Sequence, residues 1–148
     1  MATMLDRPAR DAILARLDHL RPDTRPLWGR MTAPQMLAHI ADAMRMALGD
    51  LPVQPKNVPL MRFFPFKQLV IHVLPFPKNV PTADELKSRV PHSFERELAD
   101  VRALIARLDP ANGTTRAATH PIFGSMSVKD WGVLGYNHLD HHLRQFGV

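Results

Sequence analysis

The segment TAPQMLAHIADAMRMALGD, residues 32–50, carries the clearest helix signal in this chain of 148 residues. Thr32, followed three residues later by Gln35, has the pattern of a capping box, and Pro34 falls in the first turn. Apolar side chains recur at helical spacing, and Gly49 is placed to end the helix in the left-handed conformation. The segment therefore predicts an amphipathic helix whose apolar side packs against other helices.

Three further segments show helical periodicity. The first has Asp6 as a predicted N-cap and Pro8 in its first turn, and it runs to about Leu20. The second spans residues 92–109 and repeats apolar residues along one side. The third spans residues 127–145 and starts with a serine that has an aspartate three residues on, which is a capping pair. The predicted apolar stripe of the second segment consists of Phe94, Leu98, Val101, Leu104, Ile105 and Leu108.

The middle of the chain is rich in proline. Residues 60–74, LMRFFPFKQLVIHVL, predict a helix that is kinked or restarted near Pro65, and a short helical turn is predicted at Ala83–Lys87. No stretch alternates polar and apolar residues as a strand does, so no strand is predicted. The segments together predict an all-α antiparallel bundle with an additional short helix and Pro-rich loops, formed by a single domain over residues 1–148.

Composition excludes several classes of function. The chain has no cysteine, which excludes disulfides, thiolate metal ligands and a cysteine nucleophile. Its net charge is +5, but the basic residues are scattered and few aromatic residues could stack on bases, so we expect no nucleic-acid partner. The most apolar stretch is too short to span a bilayer, and the first residues lack the apolar core of a signal peptide. We therefore expect a cytoplasmic protein with no membrane partner.

Three histidines lie close together in the last predicted helix. At about 100° per residue, His142 lies about 40° from His138, on the face that also carries Trp131. This spacing of four residues lets two imidazoles reach one metal ion from a single helix. His141 lies about 60° to the other side, at the edge of the face, and Asp140 points away. The pair is also compatible with a solvated face that complements the helix dipole.

A complete metal site needs a further ligand, because catalytic zinc sites usually have three protein ligands and an open position. His39 is the best candidate, since it lies mid-helix on the apolar side of residues 32–50. A mid-helix histidine can equally be a partly buried core residue. Asp42 lies about 60° from His39 on the helix and is a candidate acceptor for an imidazole N–H, or a ligand itself.

The other histidines have weaker interpretations. His19 is predicted to be a surface residue, His72 a core residue and His92 a cap at a helix N-terminus. His120 precedes a proline in the loop that leads into the last helix. It either lines the mouth of a pocket or holds its loop, and the second interpretation is favoured.

Two segments resemble the DinB-like (YfiT-like) superfamily: WGRMTAPQMLAHIADAMRMALGD, residues 28–50, and HPIFGSMSVKDWGVLGYNHLDHHLRQFG, residues 120–147. The resemblance implies a four-helix bundle in which three histidines hold a divalent metal ion. By motif match these fall on His39, His138 and His142. Characterised relatives include transferases that add a low-molecular-weight thiol to an electrophile, and a maleylpyruvate isomerase that uses such a thiol as cofactor. Some members are homodimers.

The leading hypothesis is a metal-dependent hydrolase or thiol S-transferase that acts on a small molecule, with Zn²⁺ or Ni²⁺ in the three-histidine site. Any reacting thiol must come from a small cosubstrate, because the chain has no cysteine. Asp42, His141 and Gln145 are candidates for supporting the ligands or carrying protons. From the resemblance, we also expect that the chain can form a homodimer.

The alternative hypothesis is a non-enzymatic ligand-binding or stress-related interaction module with a vestigial metal site. It predicts an apolar cavity lined by Phe63, Phe64, Phe66 and Trp131.

Overall fold

The computed structural model describes residues 1–74, 89–112 and 118–148, and its regular structure is almost entirely helical. Its elements in chain order are α1 (Arg7–Leu17), α2 (Ala33–Leu48), a 3₁₀ turn (Pro59–Arg62), α3 (Phe66–His72), α4 (Phe94–Arg107), a 3₁₀ turn (Pro110–Asn112), β1 (Thr119–His120), β2 (Gly124–Ser125) and α5 (Val128–Gln145). The all-α bundle with one short additional helix is thus confirmed. The helical turn predicted at Ala83–Lys87 lies outside the described residues.

Helix α2 occupies the centre of the bundle. Its predicted capping box is confirmed: Thr32 Oγ1 accepts a hydrogen bond from the Gln35 N–H, and Gln35 Oε1 accepts one from the Thr32 N–H. Gly49 ends the helix with φ of 81°, in the left-handed region, as predicted. The helix is buried nearly all round rather than on one face. Small alanine side chains on several sides let neighbouring helices approach it closely.

The main core lies between α2 and the helices α1, α4 and α5. From α4, the stripe residues Phe94, Val101, Leu104 and Ile105 are buried, whereas Leu98 and Leu108 pack at its edge. Helix α1 ends at Leu17 rather than near Leu20, and Asp6 occupies its N-cap position without a side-chain capping bond. Leu20 still reaches the core from the turn that follows.

A second, smaller core joins α3 and the β1–β2 hairpin to the first half of α5. It contains Ile71, Phe123, Met126 and Val133. The chain forms a 3₁₀ turn before Pro65 and then restarts as α3, so the predicted restart is confirmed. The prediction of no strand is wrong, because β1 and β2 pair as a two-stranded antiparallel sheet. Strands of two residues are too short to show an alternating pattern in a sequence.

Helix α5 carries the second capping box that the sequence predicted, between Ser127 and Asp130, and it ends at Gln145 as expected. The first residues of the chain cross this helix at Gly132, whose carbonyl accepts a hydrogen bond from the Met4 N–H at 3.0 Å. A Cβ at Gly132 would clash with the side chains of Thr3 and Leu5, so this close crossing favours glycine. Within the described residues, no helix combines the length and hydropathy needed to cross a membrane.

Candidate metal centre

The side chains of His39, His138 and His142 meet between α2 and α5. The Nε2 atoms of His39 and His138 are 2.9 Å apart, and those of His142 and His138 are 3.1 Å apart. One potential ligand atom from each ring lies within 4.8 Å of the other two. His142 is buried, and the other two rings are partly buried. Three histidines in this arrangement could hold a metal ion.

Gln145 fixes the protonation of His142. Its Nε2 group donates to the Trp28 carbonyl at 2.8 Å, so its Oε1 atom faces His142 Nδ1 at 2.8 Å. An amide oxygen only accepts hydrogen bonds, so His142 Nδ1 must carry the proton. The Nε2 atom of neutral His142 therefore directs a lone pair at the other two imidazoles. This is the tautomer that a metal ligand requires.

The protonation of His142 constrains how the three converging nitrogens can share protons. His142 Nε2 has only a lone pair, so a hydrogen bond to His138 Nε2 requires the proton on His138. The same His138 nitrogen then has no lone pair left for His39 Nε2. A cation at the centre would instead engage a lone pair from each of the three nitrogens. Tetrahedral zinc ligands at Zn–N of about 2.0–2.1 Å lie about 3.3 Å apart, close to the observed separations.

The surroundings keep the imidazoles neutral. Burial, together with the neighbouring His39, lowers the pKa of His142 to about 3, although the hydrogen bond to Gln145 opposes the shift. Burial and the surrounding imidazoles lower the pKa of His138 well below its usual value. Neutral imidazole is the form that binds a metal ion, so both rings are available as ligands at neutral pH.

The third histidine of the closing helix lies beside the three-histidine group. His141 is partly buried, and its ring centroid lies 5.2 Å from that of His142 and 5.8 Å from that of Trp28. Asp140 points away from the group, towards α1, where it accepts a hydrogen bond from Arg16 at 2.7 Å. Both positions agree with the helical geometry inferred from the sequence.

Asp42 is held by two arginines, which argues against the proposed imidazole partner. Its Oδ1 atom accepts from Arg45 at 2.7 Å, and its Oδ2 atom accepts from Arg89 at 3.2 Å. Both carboxylate oxygens are therefore engaged on the side of α2 that faces α4. Because Asp42 lies about 60° from His39 around the helix, its side chain points away from the imidazoles.

His120 closes the β1–β2 hairpin beside the candidate centre. Its Nδ1 atom accepts hydrogen bonds from the backbone N–H groups of Ile122 and Phe123, at 3.1 and 3.2 Å. Its ring centroid lies 5.3 Å from that of Trp131, whose Nε1 group donates to the Ala118 carbonyl. The favoured interpretation, that His120 holds its loop, agrees with these bonds.

Acid is expected to destabilise the fold through His120. Burial, with the nearby Lys67 charge, lowers its pKa to about 4, whereas the unfolded chain keeps a value near 6.5. The unfolded state therefore binds more protons as the pH falls, and stability is lost between these two values. We expect His120 to account for a loss of about 2 kcal/mol in the free energy of unfolding between pH 7 and pH 5.

Chemical denaturation at both pH values checks this expectation. The His120→Asn variant keeps an acceptor for the two backbone N–H groups but does not titrate. The pH dependence of its unfolding should be shallower than that of the parent protein by the same amount. An equal pH dependence of the free energy of unfolding in the two proteins would contradict the assignment to His120.

His72 is bound to a carboxylate instead of lying in the apolar core, so that prediction is wrong. Its Nε2 atom lies 2.8 Å from Asp130 Oδ1, while the same aspartate also forms the capping box of α5. His92 does not cap α4 with its side chain, since Ser93 holds that position. His19 is exposed, as predicted. The His72–Asp130 contact joins residues 58 positions apart, and nothing in the local sequence signals it.

The apolar cavity predicted by the alternative hypothesis is not formed by the residues proposed for it. Phe63, Phe64 and Phe66 are exposed, and Trp131 packs against the hairpin instead of against them.

A sequence profile of the DinB superfamily matches residues 7–146. The chain belongs to the DinB superfamily. The match spans α1 to α5 and includes all three histidines of the candidate centre. No significant match to this DinB-superfamily chain was found among curated proteins or among solved structures. The resemblance inferred from the sequence is thus confirmed at the level of the superfamily.

Proposed function

We propose that the chain binds one divalent ion, Zn²⁺ or Ni²⁺, through His39, His138 and His142, and uses it to catalyse a transfer or hydrolysis reaction on a small molecule. The observation that carries this proposal is the convergence of three Nε2 atoms, one of which must present a lone pair. Membership of the DinB superfamily supports it.

The ligand set indicates what kind of nucleophile the centre would favour. The three-histidine group contains no carboxylate, so its neutral donors leave the charge of a bound cation uncompensated. A divalent ion bound there would supply a Lewis acid that lowers the pKa of a coordinated water or thiol. The absence of cysteine means that a thiol nucleophile would come from a small cosubstrate.

The neighbouring residues are assigned supporting roles. Gln145 orients His142 and keeps its Nδ1 proton in place. His141 lies beside this ligand and is proposed to carry a proton to or from the reacting groups. Asp42 has no role in this proposal, because two arginines hold it. A homodimer and a cytoplasmic location stay predictions.

The orienting role of Gln145 gives a direct test. Gln145→Met keeps the length of the side chain but removes the acceptor for the His142 Nδ1–H. We expect affinity for Zn²⁺ to fall by between about 10-fold and 100-fold, the range typical for residues that orient a metal ligand.

Calorimetric titration measures this affinity, and Gln35→Met is the matched control. That change removes the capping box of α2 and should lower stability without changing metal affinity. Equal affinity in the two variants would contradict the role of Gln145.

Turnover assays on metal-loaded protein test the catalytic part. We expect the protein, loaded with Zn²⁺ or Ni²⁺, to conjugate glutathione or cysteine to an aromatic chloride, or to hydrolyse an activated ester. His138→Ala should abolish the activity, whereas the remote variant His19→Ala should keep it. Stoichiometric metal without turnover on either substrate class would favour the alternative, a binding module with a vestigial site.

A further inference from the structure

Exposed large apolar side chains are concentrated in one short stretch of the described chain. Seven of the ten lie between residues 60 and 74: Leu60, Phe63, Phe64, Phe66, Leu69, Val73 and Leu74. Isolated exposed apolar residues are common in soluble proteins, but a contiguous group usually marks an interaction surface. This group lies on the 3₁₀ turn and α3 and on the residues directly after each of them.

Helix α3 is apolar on two opposite sides. Ile71 is 0 % exposed and anchors the helix to Phe123 and Val133 in the smaller core. Phe66 and Leu69 lie about 140–160° around the helix from Ile71 and are exposed. A helix that is apolar all round is normally buried on all sides, but in the described part of the chain the outer face of α3 stays exposed.

Two aromatic residues project at the turn before α3. Phe63 is 64 % exposed and Phe64 is 82 % exposed, and they follow directly after the 3₁₀ turn. The chain three residues before this turn is held to the hairpin by a hydrogen bond from the Lys56 N–H to the Pro121 carbonyl, at 2.9 Å. The two rings are therefore presented to solvent from an anchored segment.

The formal charges within the segment that carries these apolar residues have one sign. Lys56, Arg62 and Lys67 lie in residues 51–74, which contain no aspartate or glutamate, so the segment carries a formal charge of +3. The Arg62 side chain donates to the Lys56 carbonyl, and the Lys67 side chain donates to the Ser125 carbonyl. These bonds to neutral carbonyls hold the two cations in place, and neither cation forms an ion pair with another described residue.

We propose that residues 56–74, here called the apolar–basic face, bind the surface of a lipid membrane that contains anionic headgroups. Exposed aromatic and aliphatic side chains enter the boundary between headgroups and acyl chains, and nearby Lys and Arg side chains are attracted to anionic lipids. A symmetric contact with a second copy would instead bring like charges together. The proposal departs from the expectation of no membrane partner, which considered only segments that span a bilayer.

Vesicle co-sedimentation of the intact protein tests this proposal. We expect binding to vesicles of phosphatidylcholine with phosphatidylglycerol, and binding at least about 10-fold weaker to phosphatidylcholine alone or in high salt. The double variant Phe63→Ser/Phe64→Ser should lose at least about 10-fold in affinity for the anionic vesicles. Val90→Ser is the matched control, because Val90 is 83 % exposed but lies outside the face. It should bind like the parent protein.

Several outcomes would overturn the proposal. One is the absence of binding to anionic vesicles at physiological salt, and another is equal binding by the double variant and the parent. Analytical ultracentrifugation tests whether the face instead binds a second copy of the chain. A dimer that dissociates in Phe63→Ser/Phe64→Ser, with no vesicle binding by the parent, would assign the face to a second copy of the chain. Because all these substitutions are at exposed positions, circular dichroism should show the same helix content in every variant.

Discussion

Replacing any one of His39, His138 or His142 by alanine is expected to abolish stoichiometric binding of Zn²⁺ or Ni²⁺. Removing one nitrogen from the group leaves two protein ligands, fewer than the three of a typical catalytic zinc site. The loss of metal affinity should be larger than the 10-fold to 100-fold loss that is typical when only an orienting residue is removed, which corresponds to about 1.4–2.7 kcal/mol. Elemental analysis and calorimetric titration of protein purified without a histidine tag measure it.

The neighbouring histidine provides the control for these three variants. His141 lies beside His142 but is not one of the three converging residues. His141→Ala should therefore keep one metal ion per chain. Metal-loaded parent protein should also melt at a higher temperature than the apoprotein, because a ligand that binds only the folded state stabilises it. Native protein that stays metal-free, with all variants melting unchanged in the presence of both ions, would contradict the site.

Glu97→Ala is expected to lower the free energy of unfolding by about 3 kcal/mol. The Glu97 side chain is 0 % exposed and accepts from Arg89 at 2.6 and 2.7 Å and from the His92 N–H at 2.8 Å. Burial raises the pKa of this carboxyl, but these hydrogen bonds and the Arg89 charge outweigh it, so the net pKa lies below the usual value. Truncation leaves Arg89 with the longer contacts to Asp42 and to the Ala38 carbonyl, and it removes the acceptor of the His92 N–H.

Urea denaturation of Glu97→Ala measures this loss of stability, and two further variants serve as comparisons. Glu97→Gln should lose less, because an amide oxygen still accepts from the His92 N–H. Asp18→Asn removes an ion pair with Arg102 at an exposed position and should change stability by less than about 0.5 kcal/mol. A Glu97→Ala loss no larger than that of Asp18→Asn would contradict the importance of the buried carboxylate.

The fold was largely predictable because its main elements are long and marked at their ends. Both capping boxes were visible as residue pairs three positions apart, and Gly49 marked the end of α2. The hairpin was missed because its strands have two residues each, and it depends on contacts made by His120. The end of α1 was placed too late because Leu20 continues the apolar pattern from a non-helical turn.

The candidate centre was predictable where the geometry of a single helix determines which side chains share a face. Helical geometry separated His138 and His142 from Asp140, and the apolar side of α2 pointed to His39. Asp42 could not be assigned in this way, because its arginine partners come from two different parts of the chain. The contact that fixes Gln145 ends on a backbone carbonyl, at Trp28, which carries no signal in the sequence.

Anomalous diffraction would show whether a metal ion lies among the three imidazoles. Crystals of protein purified without a histidine tag and supplied with Zn²⁺ and Ni²⁺ would be measured on both sides of each metal absorption edge. We expect one peak per chain, about 2.0–2.1 Å from the Nε2 atoms of His39, His138 and His142. The absence of an anomalous peak among these three imidazoles would contradict it.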